Sequence, residues 1–139
     1  MNISLKGKRA LIGGSSRGLG FAVAKQLALS GASVTLMSRN ENKLKEIVAN
    51  LESETKNKHN YLVVDFNNFS SFETTILSFL KNNPIDILVN NTQGPKSGFI
   101  ENLSIDDYQD AFDLLFKSVV FTTISALPVS YTHLRAHET

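Results

Sequence analysis

Gly14, Gly18 and Gly20 stand in a G-x-x-x-G-x-G pattern directly behind the short apolar run Arg9-Ala10-Leu11-Ile12. That spacing has a physical use. One glycine permits a tight turn, another lets the backbone approach a pyrophosphate, and the last lets the following helix pack closely on the strand. The amino terminus of that helix then offers free N–H groups and a partial positive charge to phosphates. Ser15, Ser16, Arg17 and Leu19 fill the loop between the glycines and share the candidate site. A second feature is Arg39, which follows Ser38 at the end of the next apolar run, with no Asp or Glu at positions 37 to 40. Arginine is a permanently charged, bidentate partner for a phosphate, and Ser38 and Arg17 can complete such a pocket. Asp65 and the pair Asn90-Asn91 close two further apolar runs.

The elements that must position these residues alternate strand and helix. Arg9 to Ile12 reads as a strand, and Phe21, Val23, Ala24, Leu27 and Ala28 recur at helical spacing up to a stop at Gly31. Ser33 to Met37 is a second strand, followed by an amphipathic helix carrying Leu44, Ile47, Val48 and Leu51. Tyr61 to Val64 predicts a third strand ending at Asp65, and Ser70 with Glu73 predicts a capping box for a helix through Leu80. Asn83-Pro84 turns the chain into a fourth strand, Ile85 to Val89. Ser104 with Asp107 caps a last long helix whose apolar positions are Phe112, Leu115, Val119 and Ile124, running to about Pro128. This alternation predicts an α/β fold, a doubly wound Rossmann-like parallel sheet truncated after about four strands. In such sheets ligands bind at the carboxyl ends of the strands, where the strand order reverses. The glycine loop, Ser38-Arg39, Asp65 and Asn90-Asn91 all fall at those ends.

Composition narrows the class. The chain has 139 residues, 42% of them hydrophobic and 19% charged, which excludes a disordered or fibrous protein. It has no Cys, which excludes disulfides, thiolate metal sites and a cysteine nucleophile and fits a reducing cytoplasm. No apolar stretch approaches the roughly 20 residues of a membrane helix, and no dense Lys/Arg run with interleaved aromatics suits a nucleic acid. A formal net charge of +1 conceals an asymmetry: residues 1–50 hold eight Lys/Arg against two Asp/Glu, and the remainder is acidic. The basic half is the one with the phosphate-binding pattern.

Taken together, these motifs resemble the short-chain dehydrogenase/reductase family over about residues 5–128. The family's TGxxxGxG motif matches Gly13 to Gly20, with Gly13 in place of the threonine. Asp65-Phe66 resembles its Asp-Val pair, whose carboxylate contacts the adenine. Asn90-Asn91-Thr92-Gln93-Gly94 resembles its NNAG, with Thr for Ala and an added Gln, so Asn91, Thr92 and Gly94 join the cofactor-site candidates. The resemblance implies a nicotinamide cofactor. Arg39, standing where an acidic residue would hold the ribose of NAD, implies NADP (NADPH). It also implies a homo-oligomeric whole protein that reduces a carbonyl of a small molecule or acyl thioester. The phrase from Asn91 to Pro95, with Leu115 where the family often has an Asn, is similar to a 3-oxoacyl-carrier-protein reductase-like branch.

The family's catalytic Ser, Tyr and Lys are expected beyond a fifth strand, past residue 128. Tyr131 and Arg135 imitate Tyr-x-x-x-Lys one strand and one helix too early, and His133 with His137 lacks a third metal ligand, so neither pair is assigned a role. Val129 to Thr139 reads as eleven codons of a translated transposase sequencing adapter. Residues 1–128 are therefore expected to be an NADP-binding Rossmann domain, and 129–139 a tail foreign to it. Leu115 leaves open a non-catalytic NADP-binding regulator as the alternative to a reductase, and the tail leaves open a reading frame with no stable product.

Overall fold

The computed structural model describes residues 2–127. Four short strands form one parallel sheet in the order β3-β2-β1-β4: β1 is Arg9–Ile12, β2 Ser33–Ser38, β3 Asn60–Val63 and β4 Ile87–Val89. Leu11 lies between Thr35 and Leu88, so β1 is central and the strand order reverses beside it. This is the Rossmann-like arrangement that the alternation predicts. Helix α1 (Gly18–Leu29) follows β1 and α2 (Glu41–Thr55) follows β2. Ala10, Ile12, Val34 and Leu36 of the sheet form one core with Ala24 and Ala28 of α1 and Leu44, Ile47 and Leu51 of α2. The alanines let α1 approach the sheet, and the leucines and isoleucine of α2 repeat at three- and four-residue steps, the stripe that a helix buries.

The chain divides into two compact units. The first holds the sheet, α1 and α2, in Met1–Asp65 and Ile85–Asn91; the second holds Phe66–Pro84 and the segment from Thr92 onward. In the second unit, α3 (Phe69–Asn82) contributes Phe69 and Phe72 to an aromatic cluster with Phe66 and Phe121, and Lys117 Nζ stands 4.1 Å from the centre of the Phe69 ring. A 3₁₀ turn (Ile100–Asn102) precedes α4 (Ile105–Phe112), which opens into a π-helical turn over Asp113–Lys117 before α-helical residues 118–127. The Ser104–Asp107 capping box is present, and Lys96 holds the Asp107 carboxylate at 3.1 Å. The Ser104 N–H and Lys96 together hold that carboxyl below its ordinary range.

Several boundaries differ from expectation. β3 runs one residue earlier than expected, Asn60–Val63, and the Val64 N–H continues its bonding to β2 at the Ser38 carbonyl. The cap of α3 is Asn68, whose side chain accepts from the Ser71 N–H, so the expected Ser70–Glu73 box lies inside the helix. β4 begins at Ile87, because the Asp86 carboxylate takes the Arg9 N–H at 2.9 Å. The long final helix is interrupted by the π-turn, and its buried face carries Leu114, Ser118 and Thr122, whereas Phe112, Leu115 and Ile124 are exposed. The expected tail lies outside the described residues.

At the amino end of the sheet, His59 joins α2 to β2. Its Nδ1 accepts from the Val34 N–H at 3.2 Å, and its Nε2 lies 2.8 Å from Thr55 Oγ1. The Thr55 hydroxyl donates to the Leu51 carbonyl, so Nε2 must be the donor and the ring is neutral. Burial lowers the imidazole from its ordinary 6.5, with the Glu52 charge opposing. The unfolded chain therefore binds more protons than the folded one just below that value. This contribution to stability is complete above the unfolded pKa and is lost as pH falls through it toward the folded one. Thermal melts from about pH 7.5 to 5.5 should show a falling Tm whose slope is largely removed in His59→Gln; equal slopes in the two proteins would assign the fall to other groups.

Among the described residues β4 pairs only with β1, and Phe112, Leu115, Phe116 and Ile124 are 49–61% exposed. An unpaired strand edge and an apolar helix face both favour association. Light scattering of the 139-residue chain should find species larger than a monomer, and a monodisperse, cooperatively melting monomer would contradict this.

Candidate functional site

The loop between β1 and α1 is fastened on both sides. From β4, Asn91 Nδ2 donates to the carbonyls of Gly13 and Gly14 at 3.2 and 3.3 Å. From β2, Met37 accepts from the Ser15 N–H at 3.1 Å and donates to Ser15 Oγ at 3.0 Å. The Ser15 hydroxyl completes its bonding with the Ile12 carbonyl at 2.9 Å. Ser15 is fully buried, so it braces the loop and does not face its rim.

The approach of Asn91 requires glycine. A Cβ at Gly13 would collide with the Asn91 carbonyl oxygen, and one at Gly20 would collide with the Gly14 carbonyl oxygen and meet Asn91 Nδ2 at 2.7 Å. Gly18, by contrast, has open space around it and a φ of +60°. There the glycine serves the backbone turn and leaves the rim of the loop uncovered. No side chain caps α1, and its first turn contains no acid. The result is an uncapped, positively polarised helix end behind an open glycine, which fits a pyrophosphate. Ser16 is half-buried, and Arg17 and Leu19 are exposed on the same loop.

The second part of the edge is the start of α2. A shallow cavity of about 550 Å³ is lined by Arg39, Asn40, Glu41 and Asn42. Asn40 caps α2 through the Lys43 N–H, and Ser38 Oγ accepts from the Asn40 N–H at 3.2 Å, so both side chains are committed to shaping the turn. Arg39 is exposed, with no ion pair or hydrogen bond to the described residues. Its guanidinium is the unpaired cation of this corner. Glu41, in contrast, is held by Lys45 Nζ at 3.2 Å and by the Tyr61 hydroxyl at 3.2 Å. Lys45 and Tyr61 both lower the Glu41 carboxyl from its ordinary value.

The first unit thus brings together Gly14, Ser15, Ser16, Arg17, Gly18, Leu19, Gly20, Ser38, Arg39, Asp65 and Asn91 at the carboxyl ends of its strands. Phe66, Thr92 and Gly94 belong to the second unit. There the Phe66 ring packs 5.1 Å from Phe72, Thr92 is half-buried and Gly94 is exposed. Tyr131, His133, Arg135 and His137 lie outside the described residues. The bracing by Met37 and the tether on Glu41 were missed in the sequence. The Glu41/Lys45 spacing was a visible signal for a helical ion pair, but nothing local marks Tyr61 as its third member.

A parallel sheet in this order, with a glycine elbow behind its central strand, defines a Rossmann-type half-domain. The family model described as short chain dehydrogenase matches residues 8–134, and the chain belongs to that family. It is 29% identical over 128 residues to the 3-oxoacyl-[acyl-carrier-protein] reductase of Chlamydia pneumoniae, covering 91% of this chain and 51% of the relative. It is similar to the crystal structure of L-sorbose reductase from Gluconobacter frateurii complexed with NADPH and L-sorbose, with a TM-score of 0.84 and 27% identity over 92% of this chain and 49% of that one. A 3-oxoacyl (acyl-carrier-protein) reductase from Agrobacterium tumefaciens with NADP bound gives a TM-score of 0.80 and 28% identity, covering 90% and 48%. The chain spans about half the length of the curated relatives it matches. Among the described residues no helix is long and apolar enough to cross a membrane.

The elbow geometry predicts two outcomes for stability. Asn91→Ala removes both loop hydrogen bonds and should cost about 1–3 kcal/mol, because two carbonyls lose their donor. Gly13→Ala should cost a similar roughly 1–3 kcal/mol through overpacking against the Asn91 carbonyl. Urea unfolding of both variants checks this, and a Gly13→Ala protein as stable as the parent would show that the two strands part freely.

Proposed function

We propose that this chain is the cofactor-binding half of a cytoplasmic NADP-dependent reductase that converts a carbonyl to an alcohol, with a 3-oxoacyl thioester as its substrate class. The observation that carries the cofactor assignment is Arg39, a guanidinium at the end of β2 with no partner among the described residues and no carboxylate at positions 37 to 40. Arg39 would hold the 2′-phosphate of NADP through paired N–H donors, with the hydroxyl of Ser38 and the guanidinium of Arg17 beside it. The open glycine loop from Gly14 to Gly20 and the uncapped start of α1 would take the pyrophosphate through backbone N–H groups. Asp65 would border the adenine, and Asn91 the nicotinamide side. When bound, the cofactor supplies the hydride. Two of the similar structures hold NADPH or NADP, which supports the cofactor, and the relatives named as 3-oxoacyl reductases support the thioester.

The proton donor is assigned to a Tyr beyond residue 128, with its Lys and Ser, so the 139-residue chain should bind cofactor without turnover. The whole protein is proposed to be a homo-oligomer. A second reading, a non-catalytic NADP-binding regulator, is favoured by one feature: Leu115, in the π-turn, stands where the family often has an Asn.

Calorimetric titration with NADPH and NADH tests the cofactor reading. NADPH should bind more tightly, and Arg39→Ala should weaken NADPH by about 1.5–3 kcal/mol, the worth of charged hydrogen bonds, while leaving NADH unchanged. Equal affinities in the parent, or no loss in the variant, would overturn it. Following nicotinamide absorbance with 3-oxoacyl thioesters and simple ketones separates the other readings. The chain as given should be silent, and a protein extended past residue 128 should turn over if it is a reductase and stay silent with cofactor bound if it is a regulator.

A further inference from the structure

The corner that would receive the 2′-phosphate contains an apparent contradiction. Glu41 lines the same cavity as Arg39, at the first residue of α2, where its carboxylate already occupies the positive end of the helix. A free carboxylate there would repel a phosphate and compete for Arg39. The structure shows that it is not free. Lys45, one turn along α2, and the Tyr61 hydroxyl, from β3, both bond the same oxygen, Glu41 Oε1, each at 3.2 Å. Lys45 supplies a compensating charge on the helix side, and Tyr61 supplies a directional hydrogen bond from the sheet side. Leu36 of β2 is paired with Tyr61, so the register of β2 and β3 sets where that hydroxyl falls.

We propose that Tyr61 and Lys45 are specificity-determining residues: they tether Glu41 so that the mouth of α2 accepts a 2′-phosphate on Arg39. The inference rests on the NADP reading above and adds to it a reason why an acid beside Arg39 does not reverse the preference. Two residues act through a third, so the relevant signature is coupling. Tyr61→Phe changes no charge, which makes it the cleaner probe; Lys45→Met also removes a cation and must be read against Glu41→Gln.

NADPH and NADH affinities are measured by calorimetry for the parent, Tyr61→Phe, Lys45→Met, Glu41→Gln and the two double variants, with Arg39→Ala as the reference. A unit charge several ångströms from a phosphate in screened water changes affinity by about threefold. Lys45→Met should therefore lower NADPH affinity by about that factor and Tyr61→Phe by less, whereas Glu41→Gln, which removes an acid already held away from the phosphate, should leave it near the parent's, all with NADH unmoved. In the Glu41→Gln background neither tether substitution should matter. If Lys45→Met weakens NADPH equally with and without Glu41, Lys45 acts as a cation in its own right and the tether is overturned. If the NADPH/NADH ratio ignores Tyr61 and Lys45 but falls in Arg39→Ala, the tether fails and the NADP reading stands. If Arg39→Ala also leaves the ratio unchanged, both fail.

Discussion

A single amide group organises the edge of this sheet. Asn91 Nδ2 bonds the carbonyls of Gly13 and Gly14, residues 78 and 77 positions away in sequence. In a planar trans peptide the N–H points opposite to the C=O. Fixing those two carbonyls toward β4 therefore turns the next N–H groups away from it, and the one from Ser15 reaches the Met37 carbonyl on β2. The loop is thus stitched to both neighbours of β1, by the Asn91 side-chain amide on one side and by Ser15 with the Met37 backbone on the other. The stitching is possible only because Gly13 and Gly20 carry no side chain where Asn91 and Gly14 approach. What remains unbonded is the start of α1, and its unspent N–H groups are the chemistry that the site offers.

The two ends of the first unit treat charge in opposite ways. At the carboxyl edge α1 begins without a side-chain cap or an acid, Arg39 has no partner among the described residues, and Glu41 is held by Lys45 and Tyr61. At the amino edge His59 is kept neutral by its place between the Val34 N–H and Thr55, and its burial contributes to the core without adding a charge. Among the described residues Arg39 has no ion pair, whereas Lys43 and Lys45 are paired with Glu46 and Glu41 on the outer surface of α2.

Local signals made the elements legible and non-local contacts moved their ends. The glycine spacing, the Leu44, Ile47 and Leu51 stripe and the Ser104–Asp107 box each act within one or two turns of chain, and each appears where the pattern placed it. Asn68 and Ser70 are both competent caps two residues apart, and the choice between them lies outside local propensity. The truncation of β4 follows from Asp86 meeting Arg9, and the tether on Glu41 follows from Tyr61 on a neighbouring strand. At the site, the motif identified the glycines that the geometry requires. It could not show that Ser15 spends every polar group inside the loop, because Met37 is its partner only once β1 and β2 pair.

The last helix shows how one local distortion changes a whole face. Leu114, Ser118 and Thr122 are buried four residues apart, a spacing that overruns the 3.6-residue turn and would drift around a regular helix. The π-turn over Asp113–Lys117 takes up an extra residue, so the first of these steps stays on one side. Two members of that stripe are polar, and they satisfy themselves: Ser118 Oγ donates to the Leu114 carbonyl and Thr122 Oγ1 to the Ser118 carbonyl, each at 2.7 Å. Hydroxyls bonded back to their own helix can be buried without any other partner. Phe112, Leu115 and Ile124, the expected core positions of this helix, are exposed. Leu115 sits at the centre of the widened turn, one residue past the buried Leu114.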